Sequence, residues 1–401
     1  MANHTASMAN DDGLKAPLRT TREIPHTVSP GLWALAWKRL KSDHVGMVSL
    51  AIVVVFVLMM IASGTGLIAG DWAKEVGVNY APPSFIGADV EGGAPAAPVA
   101  PSAPSTEFKS DVADPLADVL KELKGGTKPA GADGAPPAGE AEKSVDPLAD
   151  VMADIKRDAK DRRADVAEAR APTLPLGGDK WGRDVLKKTI KGSETSIFVG
   201  LAAAAVATLL GTLFGALAGY YGKWVDDGFN WFYSVFNSIP YLLLILAVAA
   251  VLQQKGTLTI ILILGLTGWT GTFRLIRGEY LKHKAREYVQ AADAIGASNS
   301  RRMFVHIFPN ISHVVLVQLS IYAVGFIKAE VILSFLGFGV PVDVVSWGSM
   351  LNEAQNELIL GKWWQLAAAG TAMAILVTAF SLFTDALRDA LDPKLKGRAG
   401  A

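Results

Sequence analysis

Apolar residues along the chain are concentrated in six runs that contain no Asp, Glu, Lys or Arg. A helix needs about 20 mostly apolar residues to cross the hydrocarbon core of a bilayer, with a lower limit of about 17, and each run meets that limit. Buried helices of a soluble protein are the alternative, but ordinary helices average only about 11–12 residues. The pattern predicts an all-α integral membrane protein with six transmembrane helices, over residues 45–70, 195–222, 228–254, 256–273, 310–327 and 363–384.

Basic residues indicate how these helices are oriented. Lys38, Arg39 and Lys41 precede the first run, and segment 274–302 carries seven basic against three acidic residues. Short loops rich in Lys and Arg face the cytoplasm, so we expect both termini to be cytoplasmic. The predicted organisation is an N-terminal segment, a first helix, an outer connection, a core of five helices and a cytoplasmic tail, over residues 1–44, 45–70, 71–194, 195–387 and 388–401.

The outer connection contains an insertion, residues 87–172, that is rich in Pro, Ala and Gly. Such a composition cannot bury enough apolar surface to offset chain entropy, so we expect disorder. The hexapeptide Asp-Pro-Leu-Ala-Asp-Val occurs twice in it, beginning at Asp114 and at Asp146. Each copy begins a narrow apolar stripe of helical spacing, which predicts either two short paired helices or only helical tendency within a linker.

Glycines and a proline stand out in the second and third runs. Gly211, Gly215 and Gly219 recur every fourth residue on one helical face, which lets a neighbouring helix approach closely, although Gly is common in membrane helices. Pro240 lies inside the third run. It removes a backbone donor and is expected to bend that helix, either beside a transport path or as a purely structural kink.

Glu330 is the ionisable residue that the sequence singles out within the membrane. It lies where the fifth run continues past Lys328. A charged group in a bilayer is costly, so it should face a protein interior or a wet cavity. A position on a translocation path and a hydrogen bond to a neighbouring helix are both consistent with this pattern.

Overall composition excludes several classes of function. The chain has a formal net charge of zero and no cysteine. There is no reason to expect nucleic-acid binding, and neither a disulfide nor a thiolate metal site is available. The sequence also lacks the Gly-x-x-x-x-Gly-Lys-Ser/Thr loop that cradles nucleotide phosphates and the His-Glu-x-x-His zinc motif. We therefore expect no cofactor, no metal and no catalytic activity of its own.

The most specific segment lies between the fourth and fifth runs, over residues 285–309. A helix is predicted up to Ile295, where Gly296 can take the left-handed conformation that ends a helix. A second helix is expected from about Ser300 to the entrance of the fifth run at Pro309. The segment is too short for a catalytic domain but suits a rigid knob that fits a partner's groove.

Here the chain resembles the permeases of ABC importers. Their shared cytoplasmic signature is Glu-Ala-Ala, three residues, Gly, nine residues and Ile-x-Leu-Pro. This chain matches its spacing with Gln290-Ala291-Ala292, Gly296 and His306-Ile307-Phe308-Pro309, and departs from it at Gln290, His306 and Phe308. The His is usual in the dipeptide/oligopeptide/nickel branch. Similar motifs of that branch occur at 176–186, 334–341, 346–351 and 387–393.

The resemblance implies a type I ABC importer permease fold, an ATPase-coupling loop and several partners. Those partners are a second permease subunit, two ABC ATPase subunits that hydrolyse ATP, and a substrate-binding protein, all at the inner membrane. Two rival hypotheses remain: a secondary transporter or channel that works alone, and a membrane-anchored interaction protein that uses the 87–172 insertion.

Overall fold

The computed structural model describes residues 32–87, 170–341 and 343–392. Helices make up most of this part of the chain, and no strand longer than an isolated bridge occurs in it. The α-helices are α1 (Leu32–Ser42), α2 (His44–Gly64), α3 (Val185–Tyr221), α4 (Lys223–Asn237), α5 (Tyr241–Leu252), α6 (Thr257–Thr267), α7 (Thr270–Lys284), α8 (Glu287–Ala294), α9 (Asn299–Arg301), α10 (Phe308–Phe335), α11 (Trp347–Ile359) and α12 (Trp364–Leu391).

Four continuous helical segments in the described residues are long and apolar enough to cross a membrane. They are α2, α3, α12 and the segment Asn299–Phe335, in which a π-helical turn, Arg302–Ile307, joins α9 to α10. Two further spans are counted if each bent pair is one span: α4 with α5, bent by 84°, and α6 with α7, bent by 41°. On that count the predicted all-α fold with six membrane-spanning segments is confirmed.

The third run bends near Pro240, as predicted, but as a break between two helices rather than as a kink within one. Pro240 precedes the first residue of α5, and α4 has already ended at Asn237. Proline cannot donate the hydrogen bond that would continue α4. The fold therefore breaks the third run into two helices that lie nearly at right angles.

The predicted boundaries of the first two spans also differ from the structure, and the fifth and sixth spans are longer than predicted, over Asn299–Phe335 and Trp364–Leu391. The second span begins at Val185, ten residues before the predicted start at Thr195, and so includes Lys187, Lys188 and Lys191. Asp184 caps it, since its carboxylate accepts a hydrogen bond from the backbone N–H of Leu186 at 2.8 Å. The first span ends at Gly64 rather than at Gly70. The hexapeptide repeat of the insertion lies outside the described residues.

Helix α3 lies at the centre of the fold and packs against the other long helices. Its glycine face touches α7 closely. A Cβ added at Gly211 would lie 2.6 Å from the carbonyl oxygen of Trp269, and one added at Gly219 would lie 2.6 Å from that of Arg277. At Gly215 that Cβ would lie 2.8 Å from the Phe273 carbonyl oxygen. The absence of side chains at these three positions is what allows the two backbones to meet.

Candidate functional site

The 285–309 loop begins with a short helix whose end is defined by Gly296. The backbone N–H of Gly296 donates to the Asp293 carbonyl at 2.8 Å, and that of Ala297 donates to the Ala292 carbonyl at 3.0 Å. Gly296 has φ +80°, and no atom lies within 4 Å of where its Cβ would be. This left-handed residue ends α8 in the manner of a Schellman motif. A side chain at this position would therefore be opposed by the backbone conformation, not by a collision.

Some residues of the signature segment are buried against neighbouring residues, and others are exposed at the surface of the loop. Ala292 is buried, as is Val289, which packs in a cluster with Tyr280, Met303 and Ile307. Gln290 and Ala291 are exposed. His306 is half-buried in the π-helical turn, and Pro309 is exposed in the first turn of α10. The structure thus brings the six predicted residues into one loop, with Gln290 and Ala291 available at its surface.

Polar contacts hold this loop rigidly against the spans. The Tyr220 hydroxyl at the end of α3 donates to the Asn299 side-chain oxygen at 3.0 Å, and the Tyr280 hydroxyl of α7 donates to the Met303 carbonyl at 3.2 Å. Arg302 forms an ion pair with Asp293. The loop therefore has fixed contacts with α3 and α7 and continues without interruption into α10.

Sequence reasoning missed Ile295 as a surface residue of this loop. Its side chain is 84% exposed at the tip, between the end of α8 and Gly296. A single exposed apolar side chain is ordinary on a protein surface, so the position of Ile295 at the tip of the loop, and not its hydrophobicity, makes it a useful probe of a partner contact. The available signal was an apolar residue directly before a helix-ending glycine.

Two open grooves adjoin along α10, since both are lined by Ile321. The groove nearer the Phe335 end has a volume of about 600 Å³ and is lined by α5, the α6–α7 junction and α10. The groove nearer the Phe308 end, of about 520 Å³, is lined by α7, α10 and the end of α12. The first is almost entirely apolar apart from Lys328, whereas the second is bordered by Glu279, His313, Gln318, Arg388 and Asp392.

Glu330 does not line either groove in this structure. Its side chain is fully buried, and one carboxylate oxygen accepts a hydrogen bond from the Ser334 hydroxyl at 2.7 Å. The other carboxylate oxygen has no hydrogen-bond partner. Lys328, two positions earlier, is exposed and lines the apolar groove. The lysine, not the glutamate, is therefore the charged residue on the groove side of α10.

A cluster of charged residues lies at the N-terminal end of α3, opposite the end that contacts the 285–309 loop. The Lys188 ammonium is buried and donates to Asp179 at 2.8 Å, to Glu353 at 2.5 Å and to Gln365 at 3.2 Å. Glu357 is buried nearby on α11, and neither of its carboxylate oxygens has a hydrogen-bond partner. Burial raises the pKa of Glu357 to about 7, against the opposing attraction of the Lys188 charge. The cluster joins α3, α11, α12 and the loop before α3.

Comparisons with known proteins agree with the fold. Residues 211–397 match the family of binding-protein-dependent transport system inner membrane components. Residues 31–83 match the N-terminal transmembrane domain of oligopeptide transport permease C. The second match covers α1, α2 and the segment that follows them.

Individual relatives support the same assignment. The chain is 38% identical over 221 residues to the dipeptide transport system permease protein DppC of Bacillus subtilis, an alignment that covers 55% of this chain and 69% of the relative. It is 37% identical over 221 residues to the oligopeptide permease OppC of the same organism, with 55% and 72% covered. For OppC of Haemophilus influenzae the identity is 33% over 228 residues, with 56% and 73% covered. This chain therefore belongs to the ABC importer permeases of the dipeptide and oligopeptide type and is a multi-pass membrane protein of transport function.

Proposed function

We propose that this chain is one of two permease subunits of an ATP-driven importer and forms half of the translocation path for peptides or a related small solute. The observation that carries the proposal is the unbroken connection between the 285–309 loop and α10. The loop presents Ile295 and Gln290 at its surface, and α10 lines both grooves. A displacement of the loop by a partner would therefore move one wall of the path.

The chemistry of ATP belongs to other subunits in this proposal. Two ABC ATPase subunits dock on the 285–309 loops of this chain and of the second permease, on the cytoplasmic side. A substrate-binding protein delivers the solute from outside the inner membrane. The basic segment 274–302 supports this orientation, with both termini cytoplasmic.

Replacement of Gly296 by Val tests the coupling role. A β-branched residue is strained at φ +80°, so the tip of the loop is expected to reorganise and uptake to be uncoupled from ATP hydrolysis. Gly361→Val is the matched control, because Gly361 has φ +75° and equally open surroundings but lies beyond α11. We expect ATP hydrolysis per molecule imported to rise severalfold for Gly296→Val alone. Equal effects of the two variants would contradict a role specific to the loop.

Crosslinking identifies the partner directly. The chain has no cysteine, so Ile295→Cys supplies a single reactive thiol at the exposed tip. We expect it to capture an ABC ATPase subunit in membranes. Normal uptake by membranes that lack every such ATPase would support a secondary transporter instead and would refute the proposal.

A further inference from the structure

Lys328 places a positive charge within a membrane-spanning helix, on the open side of α10. Its neighbours Ile327 and Ala329 are buried, whereas Lys328 itself is exposed and lines the groove. An ionisable side chain inside a span is costly and is retained where it serves a water-filled path or a partner charge.

The position of Lys328 along α10 directs its ammonium into the groove. Lys328 lies seven residues before the end of α10 at Phe335, about 10 Å along the helix axis. Helical side chains also lean towards the N-terminal end, away from Phe335. One turn in that direction is Gly325, where nothing lies within 4 Å of an added Cβ. The ammonium therefore has free space over an uncovered part of the wall.

The rest of the groove is apolar and firmly positioned. The Tyr322 hydroxyl accepts a hydrogen bond from the backbone N–H of Thr272 at 3.0 Å, and its ring stacks on Phe326 at 5.2 Å. Tyr241 and Leu242 form the opposite wall on α5. The groove is therefore mainly apolar, with the hydroxyl groups of Tyr241, Thr270 and Tyr322 in addition to Lys328. Such a composition is usual for a site that takes a small organic molecule.

No described residue that lines this groove carries a negative charge. Glu330, two positions away, faces the interior and is bonded to Ser334. Among the described residues the groove thus combines an apolar wall with one uncompensated positive charge, which suits a molecule with an apolar body and a carboxylate.

We propose that Lys328 is a specificity-determining residue that binds the C-terminal carboxylate of a peptide while its apolar side chains pass along the α10 groove. The inference rests on the proposed transport function. A carboxylate of the second permease subunit and a lipid phosphate are the rival occupants, and the experiments below separate them from a substrate.

Uptake by the complete transporter in proteoliposomes provides the first test. The probes are trialanine and trialaninamide, each supplied at saturating concentration of peptide-loaded binding protein, so that the capture step does not limit the rate. Lys328→Gln should lower uptake of trialanine about tenfold relative to trialaninamide, the loss expected for one charge-assisted hydrogen bond. Lys328→Arg should restore it, and the control Lys255→Gln, on the exposed α5–α6 connection, should have no effect.

The outcomes separate the inference from the proposed function. Equal losses for both probes in Lys328→Gln, with wild-type transport intact, overturn the inference alone. A wild-type complex that imports neither probe in the presence of ATP overturns the inference, whereas the proposed function fails when crosslinking from Ile295→Cys captures no ABC ATPase subunit.

Thiol labelling supplies a test that does not depend on the binding protein. Gly325→Cys is the sole thiol of the chain and fits without a collision. We compare its modification by anionic sulfonatoethyl and cationic trimethylammonium-ethyl methanethiosulfonate in the assembled transporter. A free ammonium about 6 Å away in water raises the ratio of the anionic to the cationic labelling rate about tenfold. Lys328→Gln should therefore lower that ratio about tenfold. An unchanged ratio indicates a paired lysine, and no labelling by either reagent indicates a lipid-covered face; each result overturns the inference.

Discussion

The buried ammonium of Lys188 offers a stringent test of the structure, because an adjacent lysine serves as its control. Lys188 is 1% exposed and directs its three N–H donors at Asp179, Glu353 and Gln365. Asp179 is fully buried. In Lys188→Met the methionine side chain fills a similar volume but leaves the Asp179 carboxylate without its counter-charge.

The expected loss follows from this burial. Removing one partner of a buried ion pair costs about 3–5 kcal/mol, because the remaining charge stays desolvated and unpaired. Lys187, one position earlier, forms an ion pair with Asp71 at 2.7 Å, with side-chain exposures of 36% and 39%. An exposed pair of this kind contributes little, because water and salt screen it. Two neighbouring lysines with similar ion-pair distances should therefore differ severalfold in their effect on stability.

The thermal unfolding midpoint of the purified transporter in detergent measures this difference. For a domain of about 200 residues, 1 kcal/mol shifts the midpoint by about 2–4 °C. We expect a decrease of about 6–20 °C for Lys188→Met and of less than about 4 °C for Lys187→Met. In the double variant Lys188→Met/Asp179→Asn the loss should be smaller than the sum of the single losses, because the unpaired charge is removed.

Equal midpoints for the two lysine variants would refute the reasoning. That result would mean that Lys188 is hydrated, and that α11, α12 and the loop before α3 do not close over it as described. A strictly additive double variant would likewise show that Lys188 and Asp179 do not interact.

Two further predictions concern stability. Gly215→Ala should destabilise the transporter by about 1–3 kcal/mol, because its Cβ would lie 2.8 Å from the Phe273 carbonyl oxygen. The control is Gly278→Ala on α7, which has open space around it and should be neutral or slightly stabilising in the same thermal assay. The raised pKa of Glu357, about 7, means that the folded protein favours the protonated carboxyl. Its contribution to stability is present below pH 4.5 and is lost as the pH rises through 7, so the unfolding midpoint should fall between pH 6 and 8 in wild type and change less in Glu357→Gln. The charged residues that surround Glu357 are Lys188, Asp179 and Glu353. A pH dependence that Glu357→Gln leaves unchanged would show that another group titrates.

The hydropathy pattern alone was sufficient for the fold class. Six charge-free runs predicted six membrane-spanning segments, and each run has its helical counterpart in the structure. The spacing around Gly296 likewise placed a helix end within one residue of its position in the structure. Both signals are local, since a helix must satisfy its own backbone in a bilayer and a left-handed turn depends on the residue that adopts it.

Tertiary structure decided where the charged residues lie. Charge-free runs misplaced the start of α3, because the burial of Lys188 in this helix depends on neutralisation by Asp179, nine residues earlier, and by Glu353, which only the tertiary fold brings near. They also could not show which of Lys328 and Glu330 faces the groove. These two side chains project from α10 in different directions, and only the packing of its neighbours determines which one remains open. The sequence thus determined which segments cross the membrane, whereas long-range packing determined which charged residues they bury, because burial depends on the residues that surround a position in space.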